Sequence, residues 1–455
     1  MKTYQDLQKV VEKGSEKELI SFVRNVIDEY KSSDMYKIAV LADEYDRHQN
    51  RTIIQYQKML YTLSGTTVPD NISANYKLIS GHFPFIVNQQ NQFLLGNGIN
   101  WSDKDFVESK VGDSFDNVVQ MVGYRAIVHG ISYGFFDKDH VVPFHALEFA
   151  PLFDEYNGSL SAGVRWWQID DNKPLRATLY EIDGYTEMMW DAKNKGVITQ
   201  AKRPYILFTK TSAIEGTEIY DGSNYPTFPI VPCYANRHKQ SELIGRREQI
   251  DCYDLIKSGF ANDLDDASQI YWTLQNAGGM DDTDLATFIQ HMKTVHAAII
   301  EDDGASAEAH TLEVPYAARD AILDRLDADI YRDFMALNPA LISDGAVTAT
   351  QIKAAYEPLN NKTDGYEYCI IDFLDGILEV AGIEGEEPSF KRSMILNDSE
   401  ELQNTLDAAP YLPREYVVKR ILTIFGDGDK ADDIIGMLDS EDYRRLSGGQ
   451  KTSEK

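Results

Sequence analysis

The stretch IDCYDLIKSGFANDLDDASQIYWTLQNAGG, residues 250–279, decides the fold because its apolar period changes part-way along. Its first part carries apolar residues at the three- or four-residue spacing that predicts one stripe along a helix. These are Ile250, Tyr253, Ile256, Phe260 and Leu264, which continue a stripe that begins at Leu243 before the stretch, whereas Asp251, Asp254, Asn262 and Asp265 fall on other faces. Residues 270–274 are β-branched and aromatic and predict a short strand, which stops at the turn cluster Asn276 to Gly279.

A second helix is predicted from Tyr316 to Leu337, spanning roughly 33 Å at about 1.5 Å per residue. Its apolar side carries Ile322, Leu326, Ile330, Phe334 and Leu337, and Asp320, Asp324 and Asp327 lie away from it. Between the two helices, residues 284–292 can form a short helix, and residues 294–300 and 308–314 resemble strands. The sequence therefore predicts a compact α/β insert between two long helices.

A loop and a third helix follow. Asn338 and Pro339 stop the second helix, because proline disfavours helical geometry in the residue before it. Thr348 and Gln351 fit a capping box, so we expect a helix from there to about Ala381. Pro358 lies inside this helix and removes one ladder hydrogen bond, which predicts a kink.

The chain before this region changes from helical to β-rich. Residues 16–63 are predicted to be helical, followed by a break at residues 64–71, a helix from His82 to Leu95 and a helix from Asp116 to Gly130. Residues 131–232 consist of short aromatic and β-branched runs that predict antiparallel strands. The turn pairs between them are Asn157-Gly158, Asp183-Gly184 and Asp221-Gly222. We interpret Trp166, Trp167 and Trp190 as core or subunit-contact residues rather than ligand-stacking residues.

The end of the chain follows an acidic linker at residues 382–388. Short helices are predicted at residues 399–409, 414–425 and 429–438. The polar tail from Ser447 to Lys455 is predicted to be disordered.

Charge is negative and unevenly distributed. The net charge is −29, and residues 301–455 hold 33 Asp and Glu against 15 Lys and Arg, so about −18 lies in the last third. This balance argues against a sequence-specific DNA-binding protein, which would show a basic face. Cys233, Cys252 and Cys369 are far apart and odd in number, which fits a reduced cytosolic site of assembly. No signal peptide or membrane-spanning run is expected.

No catalytic, cofactor or metal site is predicted. LSGGQ at residues 446–450 matches an ABC-type ATPase signature, but the phosphate-binding loop such enzymes need is absent from the sequence. The acidic clusters at residues 263–266 and 281–284 lack the glycine and distal glutamate of a calcium loop.

The order of helix, insert, helix, loop and kinked helix resembles the portal proteins of tailed bacteriophages, in particular the siphophage type. The residues that carry the resemblance are Ile250 to Gly279, the stretch VPYAARDAILDRLDADIY (residues 314–331) and DGAVTATQIKAAY (residues 344–356). The resemblance covers residues 21–383 and implies an α+β, mainly helical portal fold. Its implied parts are an N-terminal wing (1–238; helical 1–130, β-rich 131–238), a first stem helix (239–269), an α/β clip (270–314), a second stem helix (315–337), a tunnel loop (338–347), a kinked wing helix (348–383), a helical crown (384–446) and a disordered tail (447–455).

The resemblance also implies a function without enzymatic activity. Such a protein forms a homo-oligomeric ring, a dodecamer in this family, at one capsid vertex of the virion after assembly in the host bacterial cytoplasm. Double-stranded DNA passes non-specifically through the ring during packaging and ejection. The implied protein partners are the terminase large subunit, a head-tail connector or adaptor, and the major capsid and scaffolding proteins, with no membrane.

Three candidate sites and one structural position follow from this reading. The tunnel loop comprises Asn338, Pro339, Ala340, Leu341, Ile342, Ser343, Asp344 and Gly345, and the clip docking surface comprises Trp272, Gln275, Asn276, Gly278 and Gly279. Carboxylates repel phosphates, so we expect Asp320, Asp324 and Asp327 to face the channel, with Arg319, Arg325 and Arg332 partly paired within the helix or between subunits. Pro358 marks the helix kink.

Two other functions stay open at this point. A phage connector or adaptor would also form a ring, but it is usually shorter and does not need this order of elements. An acidic cytosolic enzyme should show a pocket lined by ionisable groups with perturbed pKa values.

Overall fold

The computed structural model describes residues 2–61, 65–71, 73–212, 218–267, 271–275, 306–310, 316–343, 349–393, 398–425 and 434–438, with single positions 283, 287, 290, 430 and 431. Helices and antiparallel sheets both make up large parts of the chain, so the predicted combination of α and β structure is confirmed.

The helices, numbered in chain order, are α1 (Tyr4–Val11), α2 (Glu16–Ser32), α3 (Asp34–Asp46), α4 (Arg51–Ile54), α5 (His82–Leu95), α6 (Lys104–Val111), α7 (Phe115–His129), α8 (Arg247–Ala267), α9 (Tyr316–Asp333), α10 (Ala340–Ser343), α11 (Ala349–Ala381), α12 (Asp398–Ala408) and α13 (Arg414–Ile424). A 3₁₀ turn, Ala409–Tyr411, joins the last two. The strands are β1 (Met59–Tyr61), β2 (Thr67–Pro69), β3 (Ile99–Asn100), β4 (Ile131–Asp137), β5 (His140–His145), β6 (Phe149–Phe153), β7 (Leu160–Trp167), β8 (Leu175–Glu181), β9 (Gly184–Trp190), β10 (Gly196–Arg203), β11 (Ile206–Ser212), β12 (Glu218–Ser223), β13 (Ile230–Tyr234), β14 (Tyr271–Gln275), β15 (Ser306–His310) and β16 (Ser389–Phe390).

Strand β4 is the centre of the larger core, with helices against one face. It is the middle strand of the sheet β13-β4-β5. Ser132 Oγ donates to the Val122 carbonyl of α7 at 2.6 Å. A Cβ at Gly134 would lie 2.7 Å from the Phe373 ring of α11, so glycine is required for this helix to approach. The glycine thus fixes where the long helix α11 crosses the sheet.

The other face of β4 packs on a second sheet through aromatic side chains. The rings of Tyr133 and Phe149 are 4.5 Å apart, and those of Phe135 and Tyr180 are 5.1 Å apart. Phe149 and Tyr180 belong to the five-stranded antiparallel sheet β10-β9-β8-β7-β6. Because a strand sends alternate side chains to opposite faces, β4 can join the helical layer to this sheet.

Helices α1 and α2 cover the five-stranded sheet and form a second core with it. Tyr30 of α2 meets Trp166 edge to face at 5.8 Å, and Trp190 is buried in the same cluster. The prediction that Trp166 and Trp190 are core residues is confirmed. Trp167 lies on the opposite face, 38% exposed, with the Arg165 guanidinium 5.8 Å from its ring.

The predicted helices at His82 to Leu95 and Asp116 to Gly130 are confirmed as α5 and α7. Gly130 caps α7 in the left-handed conformation, with φ of 88°. The prediction of helix over residues 16–63 is wrong beyond Ile54, where the chain leaves α4 and forms the hairpin β1–β2. Ile53 is the one buried residue of α4, so no apolar stripe remains to hold a longer helix on the core.

Two other predicted boundaries differ. The second long helix ends at Asp333 rather than Leu337, and Met335 takes a left-handed φ of 53°, which turns Leu337 into a small cluster with Phe93. Helix α8 begins at Arg247, later than the predicted start of 239.

The pair Asp221-Gly222 is not a turn, because it lies inside β12 where the register with β11 shifts. A Cβ at Gly222 would come 2.2 Å from the Ile206 carbonyl oxygen. Glycine is needed here for strand contact, not for a reversal of the chain.

The predicted helices at the end of the chain appear as α12, α13 and a helical run at 434–438. The tail from Ser447 and the LSGGQ stretch lie outside the described residues.

Candidate channel and assembly site

Helices α8 and α9 lie side by side and run in opposite directions. At one end, Phe260 and Tyr316 meet edge to face, with ring centroids 5.8 Å apart. At the other end, Arg246, just before α8, donates from Nε to the Asp333 carbonyl at 2.8 Å. The helix pair predicted from the 250–279 and 314–331 stretches is therefore present. An aromatic contact holds the two helices together at one end, and a hydrogen bond from Arg246 does so at the other.

His82, the first residue of α5, fits between the two helices. Its ring lies edge-on to Tyr253 of α8 at 4.8 Å and to Tyr331 of α9 at 5.9 Å. His82 Nε2 lies 2.8 Å from Asp327 Oδ1, and Asn338 Nδ2 approaches the other oxygen of this carboxylate at 3.4 Å. Asp327 is thus a structural contact between α5, α9 and the chain that follows α9.

The three aspartates that were expected to face a channel do not share one environment. Asp320 and Asp324 are exposed, whereas Asp327 is half-buried by its contacts with His82 and Asn338. Asp327 is therefore the poorest candidate of the three for contact with a passing duplex.

The arginines of α9 pair as expected within the helix, and one pairs across it. The pairs are Arg325 with Asp329, Arg332 with Asp329 and Asp333, and Arg319 with Asp263 of α8. Exposed pairs of this kind contribute about 0–1 kcal/mol each. They organise the charges of α9 more than they stabilise it.

A buried ion cluster joins the base of the helix pair to α11. Lys362 Nζ lies 3.0 Å from a Glu242 carboxylate oxygen, and the two side chains are 9% and 7% exposed. Arg246 Nη1 and Asn236 Nδ2 each reach the same carboxylate at 3.0 Å. Burial acts to raise the pKa of Glu242, but Lys362 and Arg246 outweigh it and hold that pKa below its usual range. Burial lowers the pKa of Lys362, against the attraction of Glu242.

The chain leaving α9 is anchored by a side-chain amide. Gln89 Nε2 donates to the Leu337 carbonyl and Gln89 Oε1 accepts from the Leu337 N–H, both at 2.9 Å. Asn338 Oδ1 accepts from the Ala340 N–H at 2.9 Å, which closes a tight turn around Pro339. The start of the predicted tunnel loop is therefore held on α5.

The predicted tunnel loop also contains a helical turn, contrary to the expectation of an irregular loop. Residues Ala340, Leu341, Ile342 and Ser343 form α10, with Pro339 immediately before it, where proline's fixed φ suits a helix start. Leu341 is 63% exposed. Asp344 and Gly345 lie outside the described residues.

The insert between α8 and α9 contains an antiparallel strand pair. Trp272 of β14 is paired with Ala309 of β15, and Gln275 with Ser306. The first predicted strand is confirmed within one residue, whereas the strand predicted at 308–314 is found at 306–310. Asn276, Gly278, Gly279 and the strand predicted at 294–300 lie outside the described residues; within 284–292, positions 287 and 290 are described, and both are helical.

Helix α11 runs without interruption from Ala349 to Ala381 and contains Pro358. Neighbouring turns are packed on α5, since Tyr356 stacks on Phe93 with centroids 5.6 Å apart and Leu359 is buried. The kink at Pro358 stays a prediction.

One buried feature was not found from the sequence. The polar face of α8 is more buried than its apolar face, because an extended segment, residues 73–80, lies along it. The N–H groups of Tyr76, Leu78 and Ser80 donate to side-chain oxygens of Asn262, Ser258 and Asp254, at 2.6, 2.9 and 2.9 Å. We call Asp254, Ser258 and Asn262 the polar ladder.

The polar ladder works because two repeats match. Alternate residues of an extended chain are about 6.6 Å apart, and residues four apart on a helix rise about 6 Å. Asp251 extends the same face, accepting from Thr52 Oγ1 at 3.0 Å and from the Tyr45 hydroxyl. The signal in the sequence is the 3-4-4 spacing of polar residues 251, 254, 258 and 262, which is as helical as the apolar stripe.

No group of three or more His, Cys, Asp or Glu side chains in the part of the chain that the structure describes is placed to hold a metal ion. Within that same part, no helix combines the length and apolarity needed to cross a bilayer.

The family model described as phage portal protein, SPP1 Gp6-like, matches residues 42–435, and so covers the helix pair, its insert and α11. The chain belongs to this family of phage portal proteins. The resemblance given from the sequence is confirmed, and the family is one of structural, non-enzymatic phage proteins.

Two portal proteins are similar in sequence to this portal-family chain. The portal protein of Clostridium phage phiCD119 is 26% identical over 203 residues, covering 43% of this chain and 45% of that protein. The portal protein of Bacillus phage SPP1 is 22% identical over 424 residues, covering 84% of this chain and 79% of that protein. A solved structure described as the neck of a native GTA particle computed with C12 symmetry aligns with a TM-score of 0.39 and 10% identity, over 75% of this chain and 87% of the other.

Proposed function

We propose that this chain forms a ring at one vertex of a phage capsid and serves as the channel through which double-stranded DNA is packaged and ejected. The observation that carries the proposal is the family match over residues 42–435. In this proposal the channel itself catalyses no reaction. The ATP hydrolysis that drives packaging is supplied by a separate terminase.

The antiparallel pair α8 and α9 supports the role of a channel wall. In the proposed ring, the exposed Asp320 and Asp324 face the lumen, where their charges repel phosphates and keep the duplex from binding tightly. Asp327 contributes through its contact with His82 and fixes α9 on α5 rather than meeting DNA.

The parts at either end of the helix pair take different partners in this proposal. The insert that carries Trp272 and Gln275 docks the terminase large subunit during packaging and a head-tail connector afterwards. Residues 338–345 are the tunnel loop in this proposal, and the exposed Leu341 is its contact with the duplex. The helices from residue 398 form the crown, and the ring, a dodecamer, contacts the major capsid and scaffolding proteins.

Particle sizing tests the proposal directly. Purified full-length chain should give closed rings with a central hole in negative-stain images and a mass near twelve times 51.5 kDa by mass photometry. A folded chain that stays monomeric or dimeric at micromolar concentration refutes the proposed channel.

A packaging experiment tests the lumen assignment. Proheads built with Asp320→Lys and Asp324→Lys together should package duplex DNA several-fold more slowly, because the new cations bind phosphate in the channel. The matched control is Asp170→Lys with Asp171→Lys, which changes the same charge on an exposed loop after β7. Equal rates for the two double variants would remove α9 from the channel wall.

A further inference from the structure

Residues 54–61 and 65–71 form the β1–β2 hairpin with its flanks, and residues 73–80, which follow it, lie along α8. We call residues 54–61, 65–71 and 73–80 together the hairpin arm, and it exposes many apolar side chains. The polar ladder holds the backbone of the arm's last part, residues 76–80, against the helix. Its large apolar side chains that are 37–52% exposed are Ile54, Tyr56, Met59, Leu60, Val68, Tyr76 and Leu78. A concentration of apolar surface in one exposed segment is typical of an interaction surface.

The hairpin arm and α9 lie on opposite sides of α8. Ser258 contacts the arm, and Phe260, two residues further and about 200° round the helix, contacts α9. The arm, α8 and α9 therefore form a slab with two outer surfaces. One is the apolar side of the arm, and the other is the side of α9 that faces away from α8.

The outer side of α9 suits large apolar side chains. Ala317, Ala321 and Ala328 are exposed there and fall within about 40° of one another around the helix axis, so we call them the alanine face. Arg325 and Arg332 lie along the same side, with side chains 82% and 70% exposed. Methyl groups leave room for large side chains, and a guanidinium favours the face of a tyrosine ring.

We propose that the hairpin arm of one copy of this chain packs on the alanine face of α9 in the next copy. This inference rests on the proposed ring, because a closed ring needs two different complementary surfaces on each subunit. The slab supplies such a pair, and the arm's Tyr56 and Tyr76 are the partners for Arg325 and Arg332.

The charges on the two surfaces agree with this pairing. Residues 54–80 carry two cations, Lys58 and Lys77, and one carboxylate, Asp70, which is buried. Helix α9 carries five aspartates and three arginines, so it is negative overall. In a chain with net charge −29, the arm carries no net negative charge, so it can approach the acidic helix of a second copy without the repulsion between like charges that other surfaces would meet.

Disulfide cross-linking tests the contact in the full-length chain. The background carries Cys252→Ser and Cys369→Ser and keeps the buried Cys233. Tyr76→Cys is combined in turn with Ala317→Cys, Ala321→Cys or Ala328→Cys, and ring formation is checked before oxidation. At least one pair should give a ladder of covalent dimers and higher multiples on a non-reducing gel, reversed by reducing agent. The matched control replaces Tyr76→Cys with Ile169→Cys, an 86% exposed residue beyond β7.

The outcomes separate this inference from the function on which it rests. Rings that give no ladder, or that cross-link as well through Ile169→Cys, overturn the arm contact and leave the ring intact. A folded chain that forms no ring overturns the proposed function first and the contact with it.

A second variant measures the contribution of the arm. Tyr76→Lys should raise the concentration at which rings half-dissociate by tenfold or more, because it removes from the contact the aromatic ring that packs on the alanine face and stacks on a guanidinium group. Tyr156→Lys, at a tyrosine 90% exposed before β7, is the control and should leave that concentration unchanged. Equal behaviour of the two variants contradicts the proposed contact.

Discussion

Lys362 and Glu242 form an ion pair whose charges are almost completely buried. The pair joins α11 to the segment before α8, and Asn236, after β13, also binds the Glu242 carboxylate. Removal of one member leaves the other charge buried without its full compensation, which typically costs about 3–5 kcal/mol. Lys362→Met should therefore lower the free energy of unfolding by about 3 kcal/mol, since Arg246 still compensates part of the Glu242 charge. Urea denaturation followed by circular dichroism measures the change.

The control for this prediction is the exposed pair of Lys104 and Glu108, 3.5 Å apart. Lys104→Met should cost less than about 1 kcal/mol, as exposed pairs do. The double variant Lys362→Met with Glu242→Gln should recover part of the loss, because no uncompensated carboxylate remains. If Lys362→Met costs no more than Lys104→Met, the buried pair is not a structural link.

His129 makes stability depend on pH through a second buried group. Its Nε2 lies 3.4 Å from Asp43 Oδ1, and its Nδ1 is buried without a hydrogen-bond partner among the described residues. Burial lowers the pKa of His129, and Asp43 opposes this less strongly. A proton on Nδ1 would need an acceptor that the described part of the chain does not provide there.

The sign of the pH effect follows from that lowered pKa. The unfolded chain takes up the proton near pH 6.5, before the folded chain does, so the contribution of neutral His129 is complete above that pH and is lost as the pH falls below it. The loss from one group cannot exceed about 1.4 kcal/mol per pH unit. The stability advantage of the natural chain over His129→Gln should therefore shrink between pH 7 and pH 5 in urea denaturation. Parallel pH profiles for the two proteins would contradict this, and the exposed His140→Gln serves as the control.

At the scale of elements, the polar ladder ties residues 76–80 to α8 through three hydrogen bonds from backbone N–H groups. Asn262→Ala would leave the Tyr76 N–H without its acceptor, and a lost acceptor in a buried site costs about 1–3 kcal/mol. Hydrogen exchange at residues 76–80 should therefore become roughly tenfold faster or more, because 1.4 kcal/mol corresponds to a factor of ten. Mass spectrometry of the corresponding peptides measures it.

Cys252→Ala is the matched control for this prediction, since Cys252 lies on an exposed face of the same helix. It should leave exchange at residues 76–80 unchanged. Ser258→Ala, which removes the acceptor of the Leu78 N–H, should repeat the effect of Asn262→Ala. Unchanged exchange in both ladder variants would show that the segment is held by other contacts.

Elements with a strong local period were predictable, and those set by distant contacts were not. Helices α5 and α7 were placed within a residue, because apolar period and terminal glycines agree there. The end of α9 at Asp333 could not be read locally, since Leu337 is drawn away by Gln89, 248 residues earlier. The end of α4 at Ile54 likewise depends on tertiary packing, because Ile53 is the one residue of this helix that is buried in the core.

The candidate site shows the same limit. The sequence singled out Asp320, Asp324 and Asp327 as equivalent, because all three lie off the apolar stripe. The structure separates Asp327 from the other two through His82, a residue 245 positions away. Likewise, the polar residues of α8 were noted only as lying on other faces, because the arm that buries them is remote in sequence.

At the scale of the whole molecule, charge sets the condition for assembly. Each chain carries a net charge of −29, so subunits brought together repel one another at long range. The proposed contact between the hairpin arm and α9 is largely apolar and acts at short range. Salt screens the charge repulsion between subunits, with a Debye length near 10 Å at about 0.1 M. The apolar contact between the arm and α9 is not weakened by this screening.

Ring formation should therefore increase with salt rather than decrease. Between about 0.02 M and 0.3 M sodium chloride, screening removes most repulsion between charges more than a Debye length apart, so the half-assembly concentration should fall several-fold. Mass photometry across this series measures the ring fraction, and sucrose at matched osmolality controls for exclusion effects. Rings held mainly by ion pairs between subunits, such as Arg325 or Arg332 with a neighbour's carboxylates, would instead dissociate as salt rises. That result would place the dominant contact in the charges of α9 rather than in the apolar arm.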